Sequence, residues 1–373
     1  MNTWHFIEPL DVLYLRGNKL FGDPGSYGEA LIPPWPSTAA GALRSLLLAR
    51  SGTDLAAFAA GEVEHPELGT PNQPGPFRVT DFLLARRHAD TTESLHPIPA
   101  DLMVSKDDDD KDVIHIHRLT PHALGHGIRC SAALPKVAVL AENQRSKPAS
   151  GFWLKQRGYE RYLTGELPVA DDLVATRELW QMDERIGIGL DSARRRADDG
   201  KLFSVQAVAF RNGVGFLAGT EGAELPRRDM LRLGGDGRAA ALHQADYHPP
   251  RAAADTLLSA GRCRVVLTTP GLFTDGWRLP GMTADGQFEL AGVRGQVVAA
   301  AVPRAEIISG WDLALWQPKP ALRAVPAGSV YWIDKLSATS ESLDRLADRG
   351  LWPENEAEGS RRAEGFNRFA WAV

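Results

Sequence analysis

The chain has 373 residues, 43% of them apolar, with two cysteines and a formal net charge of −5. That length buries a sizeable core, expected in two domains. Cys130 and Cys263 lie too far apart for a zinc or disulfide pattern, so a reducing cytoplasm is the expected setting. No basic stretch followed by a long apolar run opens the sequence, and no apolar run reaches the roughly 20 residues of a membrane helix, so no signal peptide or membrane span is expected.

WHFIEPLDVLYLRG, residues 4–17, is rich in β-branched and aromatic residues and reads as a strand ended by Gly17. A Gly- and Pro-rich crossing follows. STAAGALRSLLLARSG, residues 37–52, then predicts a helix with Ser37 as its N-cap. Ala39, Ala42, Leu43, Leu46 and Leu47 fall on one face, and Ser51-Gly52 is the stop signal.

Residues 60–175 change character, with prolines, histidines and an aspartate run breaking up short apolar patterns. They read as a long insertion of small strands, with a helical stretch near 157–165. Within it, residues 101–112 hold six Asp and two Lys and carry −4, which leaves the rest of the chain near −1. Charge is therefore segregated, and a local anion-binding face stays open despite the acidic total. The run Asp107–Asp110 reads as a native acidic loop. Just beyond, HIHRLTPHALGH places His115 and His117 on one face of a strand and His122 and His126 four apart. Zinc binding or general acid–base chemistry are the functional readings, against an exposed or structural role as the default.

From about 177 the pattern tightens. ERIGIGLDSARRRADDGKLF, residues 184–203, puts Gly187 and Gly189 around an isoleucine and follows them with three arginines. Glycines allow close approach to the main chain, and guanidinium forks suit phosphates. A glycine-kinked connection with a solvated charge run is the bland alternative. Asn212-Gly213, between two strand-like runs, signals a hairpin. LRLGGDGRAA then places Gly234, Gly235 and Gly237 between Arg232 and Arg238. It matches neither the nucleotide-hydrolysis loop nor the dinucleotide turn. A tight turn between strands competes with an anion nest here. A helix near 252–260 and strands at RCRVVLTTP, GQVVAAAV, AEIISGWDLA and SVYWID complete an α+β pattern. No nucleophile elbow, paired-cysteine motif or convergent acidic pair is present in the sequence, so no catalytic constellation, cofactor or metal is expected.

Read together, PLDVLYLRGNKLFG, PPWPSTAAGALRS, ERIGIGLDSARRRADDGKLF, LRLGGDGRAA and the terminal GFNRFAWA occur in a characteristic order. In this the chain resembles the third-subunit family of type III-B CRISPR effector (Cmr) complexes, in the RAMP superfamily. The resemblance is weakest across 60–175. It implies two ferredoxin-like (RRM-like) units, 1–176 with the long insertion and 177–373 with the Gly-rich loop. It also implies a non-catalytic subunit that grips the five-prime, repeat-derived handle of CRISPR RNA. Such a subunit joins the large polymerase-domain subunit to the backbone RAMP subunits and meets target RNA only indirectly. The RNA-facing candidates are then Arg16, Asn18, Lys19 and Phe21 in the first crossing and Arg44 on its helix. Arg185, Gly187, Gly189, Arg194, Arg195 and Lys201 supply the middle, and Arg232, Gly234, Gly235, Gly237 and Arg238 the closing loop. A metal-independent RAMP endoribonuclease using His115 or His117 is the rival, and a purely structural scaffold the second.

Overall fold

The structure is a computed structural model. It describes residues 2–373 except 18–26, 90, 108–109, 111–112, 126–129, 142–146, 192, 313 and 354–358, with only the backbone described for 197–200. The chain forms two compact units, each assembled from three stretches of sequence. The first takes Met1–Thr92, Thr176–Asp246 and Ile307–Leu322; the second takes Glu93–Ala175, Tyr247–Glu306 and Arg323–Val373. A single break near 176 therefore coincides with one crossing, but the chain passes between units several times. The stretch expected to be one insertion divides between them.

In the first unit an antiparallel sheet runs in the order Arg78–His88, Val214–Glu221, Thr3–Pro9, Ala239–Ala245, Arg228–Arg232. Arg78–His88, read from sequence as part of the insertion, is thus the second strand of this sheet. Val214–Glu221 is buried along nearly its whole length, which requires cover on both faces. The helix Pro36–Ser51 supplies part of it, lying against Arg78–His88 and Arg228–Arg232 through Ala39, Leu43, Leu46 and Leu47. Phe216 stacks on Phe82 at 5.0 Å and meets Phe210 edge-on at 5.3 Å. The helix begins two residues earlier than expected. Trp35 is the N-cap and Pro36 opens the helix, where its missing N–H costs nothing. The strand predicted over 4–17 is cut short as well: Thr3–Pro9 pairs in the sheet. Leu13 then exchanges two backbone hydrogen bonds with Val208 of another sheet.

The second unit holds a sheet ordered Gln287–Leu290, Val293–Ala301, Val330–Ser337, Arg262–Leu267, Phe369–Ala372, again antiparallel. Alternation sends Val265, Tyr331 and Ile333 to one face, against Leu343 and Leu346 of helix Ser340–Arg349. Val266, Val330 and Ala372 go to the other, against Tyr159, Tyr162 and Leu163 of helix Gln156–Leu163. Arg264 is buried in this second layer. Its guanidinium donates to Asp101 Oδ2 at 2.6 Å, to the Tyr162 carbonyl at 3.0 Å and to the Val373 carbonyl at 2.7 Å. Tyr162 closes the network by donating its hydroxyl to Asp101 Oδ1 at 2.7 Å.

Candidate nucleic-acid interface

The candidate site lies in the first unit, on a long antiparallel hairpin, Trp180–Asp191 and Arg196–Phe210, for which the sequence offered a phosphate-facing segment with a glycine-kinked connection as the bland alternative. The reason is cross-strand packing. Gly187 faces Phe203, and a β-carbon on Gly187 would clash with the edge of the Phe203 ring. The glycine lets the ring lie over the strand. Lys201 does the same beside Gly189, with its Cβ 2.8 Å from where a side chain would start. Both glycines thus serve the packing of a ladder. The Asn212-Gly213 signal gives a turn, with Val214 N donating to the Arg211 carbonyl, but the strands on either side enter different sheets. No hairpin forms there.

Tyr14 gathers the segments that the sequence left separate. Its carbonyl accepts the Gly235 N–H at 2.8 Å, which fixes the glycine loop. Gly234 (φ +76°), Asp236 (φ +57°) and Gly237 (φ +62°) turn the chain there, and a β-carbon on Gly234 would sit 2.7 Å from that carbonyl oxygen. The Tyr14 ring lies under the Arg238 guanidinium at 5.1 Å, and its hydroxyl accepts from Arg185 Nη1 at 3.4 Å. Val205 and Ala207 bury the ring from the hairpin side. Both arginines also have acidic partners: Arg238 donates to Asp11 Oδ2 at 2.6 Å, and Arg185 to Asp183 Oδ2 at 2.8 Å. The Asp183 bond, then the Tyr14 bond, hold Arg185 still more firmly in its charged form.

The other predicted cations are distributed differently. Arg194 and Arg195 lie at the exposed hairpin tip, Arg195 with φ +51°. The tip is built on Asp191, whose Oδ1 accepts the N–H groups of Ala193 and Arg194 at 3.0 and 3.1 Å. Arg194 Nε also approaches Asp191 Oδ2 at 3.7 Å. Six residue steps along the strand, about 20 Å at about 3.3 Å each, separate Arg185 from Asp191. Arg185 and the tip arginines therefore stand about 20 Å apart along one hairpin. Arg232 is exposed at the end of Arg228–Arg232, leading into the glycine loop. Arg16 is bridged through its main chain to Ala30, and Arg44 is half-buried on its helix. Asn18, Lys19 and Phe21 lie outside the described residues.

Sequence reasoning missed Tyr14, Phe203 and the acidic partners Asp11 and Asp183. It also missed the apolar face of the hairpin. Ile186 and Leu190 are 74% and 71% exposed, and Ile188 and Leu202 oppose each other beside them. The i, i+2 spacing of Ile186, Ile188 and Leu190 was the available signal.

The histidines are held one by one in the second unit. His117 Nε2 shares a 2.9 Å hydrogen bond with Ser105 Oγ, His122 Nε2 one of 3.0 Å with Thr120 Oγ1, and His115 lies 3.6 Å from Asp107. His126 lies outside the described residues. Among the described residues no group of three or more His, Cys, Asp or Glu gathers to hold a metal.

Comparison with known proteins decides the family. The family model described as CRISPR-associated protein (Cas_Cmr3) matches residues 5–373. The chain belongs to the Cas_Cmr3 family. Among solved structures, a chain of the Type III-B Cmr-beta particle bound to cognate target RNA and AMPPnP is 15% identical. The match covers 99% of this chain and 98% of that one, with a TM-score of 0.51. A chain from the particle bound to cognate target RNA alone is also 15% identical, covers 98% and 96%, and has a TM-score of 0.49. No curated protein sequence matches the chain. The Cas_Cmr3 fold is thus mixed α and β, with mostly antiparallel sheets and few helices.

Proposed function

We propose that this Cas_Cmr3 family member is a non-catalytic, guide-RNA-binding subunit of a type III-B Cmr effector particle. It grips the five-prime, repeat-derived handle of CRISPR RNA and joins the large polymerase-domain subunit to the first backbone subunit, in the cytoplasm. The carrying observation is the Tyr14 junction: a glycine loop latched by its carbonyl beside a long hairpin that ends in Arg194 and Arg195. A single-stranded handle offers phosphates and splayed bases. Exposed tip arginines suit the phosphates, and the apolar hairpin face suits the bases. The chain aligned with it belongs to a particle that holds target RNA.

Each unit is read as ferredoxin-like. Numbered by appearance, the four main strands of each sheet run 2-3-1-4, all antiparallel: Arg78–His88, Val214–Glu221, Thr3–Pro9, Ala239–Ala245 in one, and Val293–Ala301, Val330–Ser337, Arg262–Leu267, Phe369–Ala372 in the other. A helix follows the first strand in the first unit and the third strand in the second. No helix among the described residues is long and apolar enough to cross a membrane.

The test is photocrosslinking in the assembled particle with guide RNA labelled at its five-prime end. Crosslinks from the handle to 185–203 or 231–238 are expected, and a handle crosslinked only to other subunits overturns the reading. Incubating the purified chain with repeat RNA checks the non-catalytic part: intact RNA is expected, and cleavage abolished by His115→Ala or His117→Ala would establish the nuclease instead.

A further inference from the structure

Residues 307–322, of which Leu313 lies outside the described residues, hold a second hairpin that the RNA reading does not use. Trp311 and Asp312 pair with Pro318 and Gln317, making a short hairpin. Asp312 Oδ1 accepts the N–H groups of Ala314 and Leu315, both at 3.0 Å, and so braces the turn. Below it, Lys319 N donates to the Gly310 carbonyl at 2.9 Å and Ser309 Oγ to the Lys319 carbonyl at 2.6 Å. The braced turn holds two tryptophans edge to face, with ring centroids 5.9 Å apart and planes at 87°. Trp311 is 46% exposed, Trp316 73%, and Leu315 beside them 66%. On the order of 300 Å² of indole surface therefore faces solvent, taking about 250 Å² for a whole ring system. Exposed apolar area on that scale matches the largest patch of a typical monomer, which is often functional.

The charge around the indoles selects the partner. Between 307 and 322 the formal charges are Asp312 and Lys319, which cancel. The Asp312 carboxylate is committed to the turn, and Lys319 has a partner of its own. A platform for nucleic acid sets its aromatics among unspent cations, because the phosphates dominate affinity. The arginine-tipped hairpin at 180–210 has that composition; this one has neutral aromatics beside an aliphatic side chain. Two exposed tryptophans beside an exposed leucine, on a turn whose one acid is committed to bracing it, have the composition of a protein–protein hot spot.

We propose that the Trp311/Trp316 hairpin is a protein-docking knob, which seats its two indoles and Leu315 in an uncharged apolar pocket of a neighbouring protein subunit. The proposal rests on the reading of this chain as one subunit of a larger particle, and it assigns the contact to a surface separate from the proposed RNA-binding one. The indoles act as preformed anchors, since the braced turn leaves little conformational freedom to lose on docking.

The test co-expresses the full chain, as wild type, W311A/W316A or L315D, with the other subunits of its own particle. Retention in the purified particle is measured, alongside affinity of each isolated full chain for handle RNA. L315D adds one charge at an exposed position, so it keeps the test open if the double variant folds poorly; far-ultraviolet circular dichroism identifies that case. At least a tenfold loss of retention for both folded variants is expected, with RNA affinity within twofold of wild type. Unchanged retention overturns the proposal, as does tenfold weaker RNA binding with retention intact. If the wild-type chain itself does not bind handle RNA, the RNA reading fails on its own, and the retention arm still decides the knob.

Discussion

The carbonyl oxygen of Tyr14 accepts the N–H of Gly235 at 2.8 Å, which ties the glycine loop to the crossing after the first strand. The latch distinguishes two adjacent glycines. Gly234 has φ +76°, and a β-carbon there would lie 2.7 Å from the same carbonyl; Gly235 has an ordinary φ and would make contacts of 3.4 and 3.5 Å. Gly234→Ala is expected to cost about 1–3 kcal/mol and Gly235→Ala under about 1 kcal/mol. Urea unfolding of both variants checks this, and equal losses would contradict it.

Arg185 and Arg238 meet Tyr14 from two sides while holding acidic partners of their own, so they shape the site more than they offer free charge. Tyr14→Phe keeps the ring under Arg238 and removes the acceptor for Arg185. A loss of about 0.5–1.5 kcal/mol is expected, with handle-RNA affinity nearly unchanged. Tyr14→Ala removes the buried ring as well, at about 3–5 kcal/mol. Paired unfolding and binding curves separate the two.

Buried Arg264 and Asp101 predict a larger effect. Replacing Asp101 with Ala strands a guanidinium in the core and should cost about 3–5 kcal/mol, read by chemical denaturation. Asp101→Leu with Arg264→Met removes both charges and should recover much of the loss.

Acid stability depends on His96. It is buried against the Tyr159 ring at 3.7 Å and shares a 2.9 Å hydrogen bond with Ser94, which also accepts from Tyr247. Desolvation pushes its pKa down to about 3 from the usual 6.5. The unfolded chain therefore takes up a proton below pH 6.5 that the folded chain refuses. Stability should fall as pH drops from 6.5 toward 3, by about 1.4 kcal/mol per pH unit. His5, lowered to about 4 by burial, adds a similar slope over a narrower window. Unfolding free energies at pH 7, 6, 5 and 4 read this slope, and His96→Gln should remove one histidine's share of it.

Elements fixed by local spacing were legible in the sequence. The apolar face of helix Pro36–Ser51 and the short apolar runs at Arg262–Leu267 and Val330–Ser337 follow from near-neighbour patterning. Helix Ser340–Arg349 carried a signal that was not used, Thr339 and Ser342 capping each other before buried Leu343 and Leu346. What was not legible is long-range. Gly187 is explained only by Phe203 across the ladder, and Tyr14 matters because Gly235, some 220 positions on, comes to its carbonyl. The arginine segments are visible in the sequence itself, but the acidic partners Asp11 and Asp183 come from the fold.

The most direct test of the central claim is the salt dependence of handle-RNA affinity for the wild-type chain and for Arg194→Ala/Arg195→Ala/Arg232→Ala. Each phosphate contact on a single strand contributes about 0.7 to the slope of log affinity against log salt. The triple variant should bind at least tenfold more weakly at low salt, with a slope shallower by about 2. A folded triple variant with wild-type affinity and slope would contradict the claim that these arginines hold the guide's backbone.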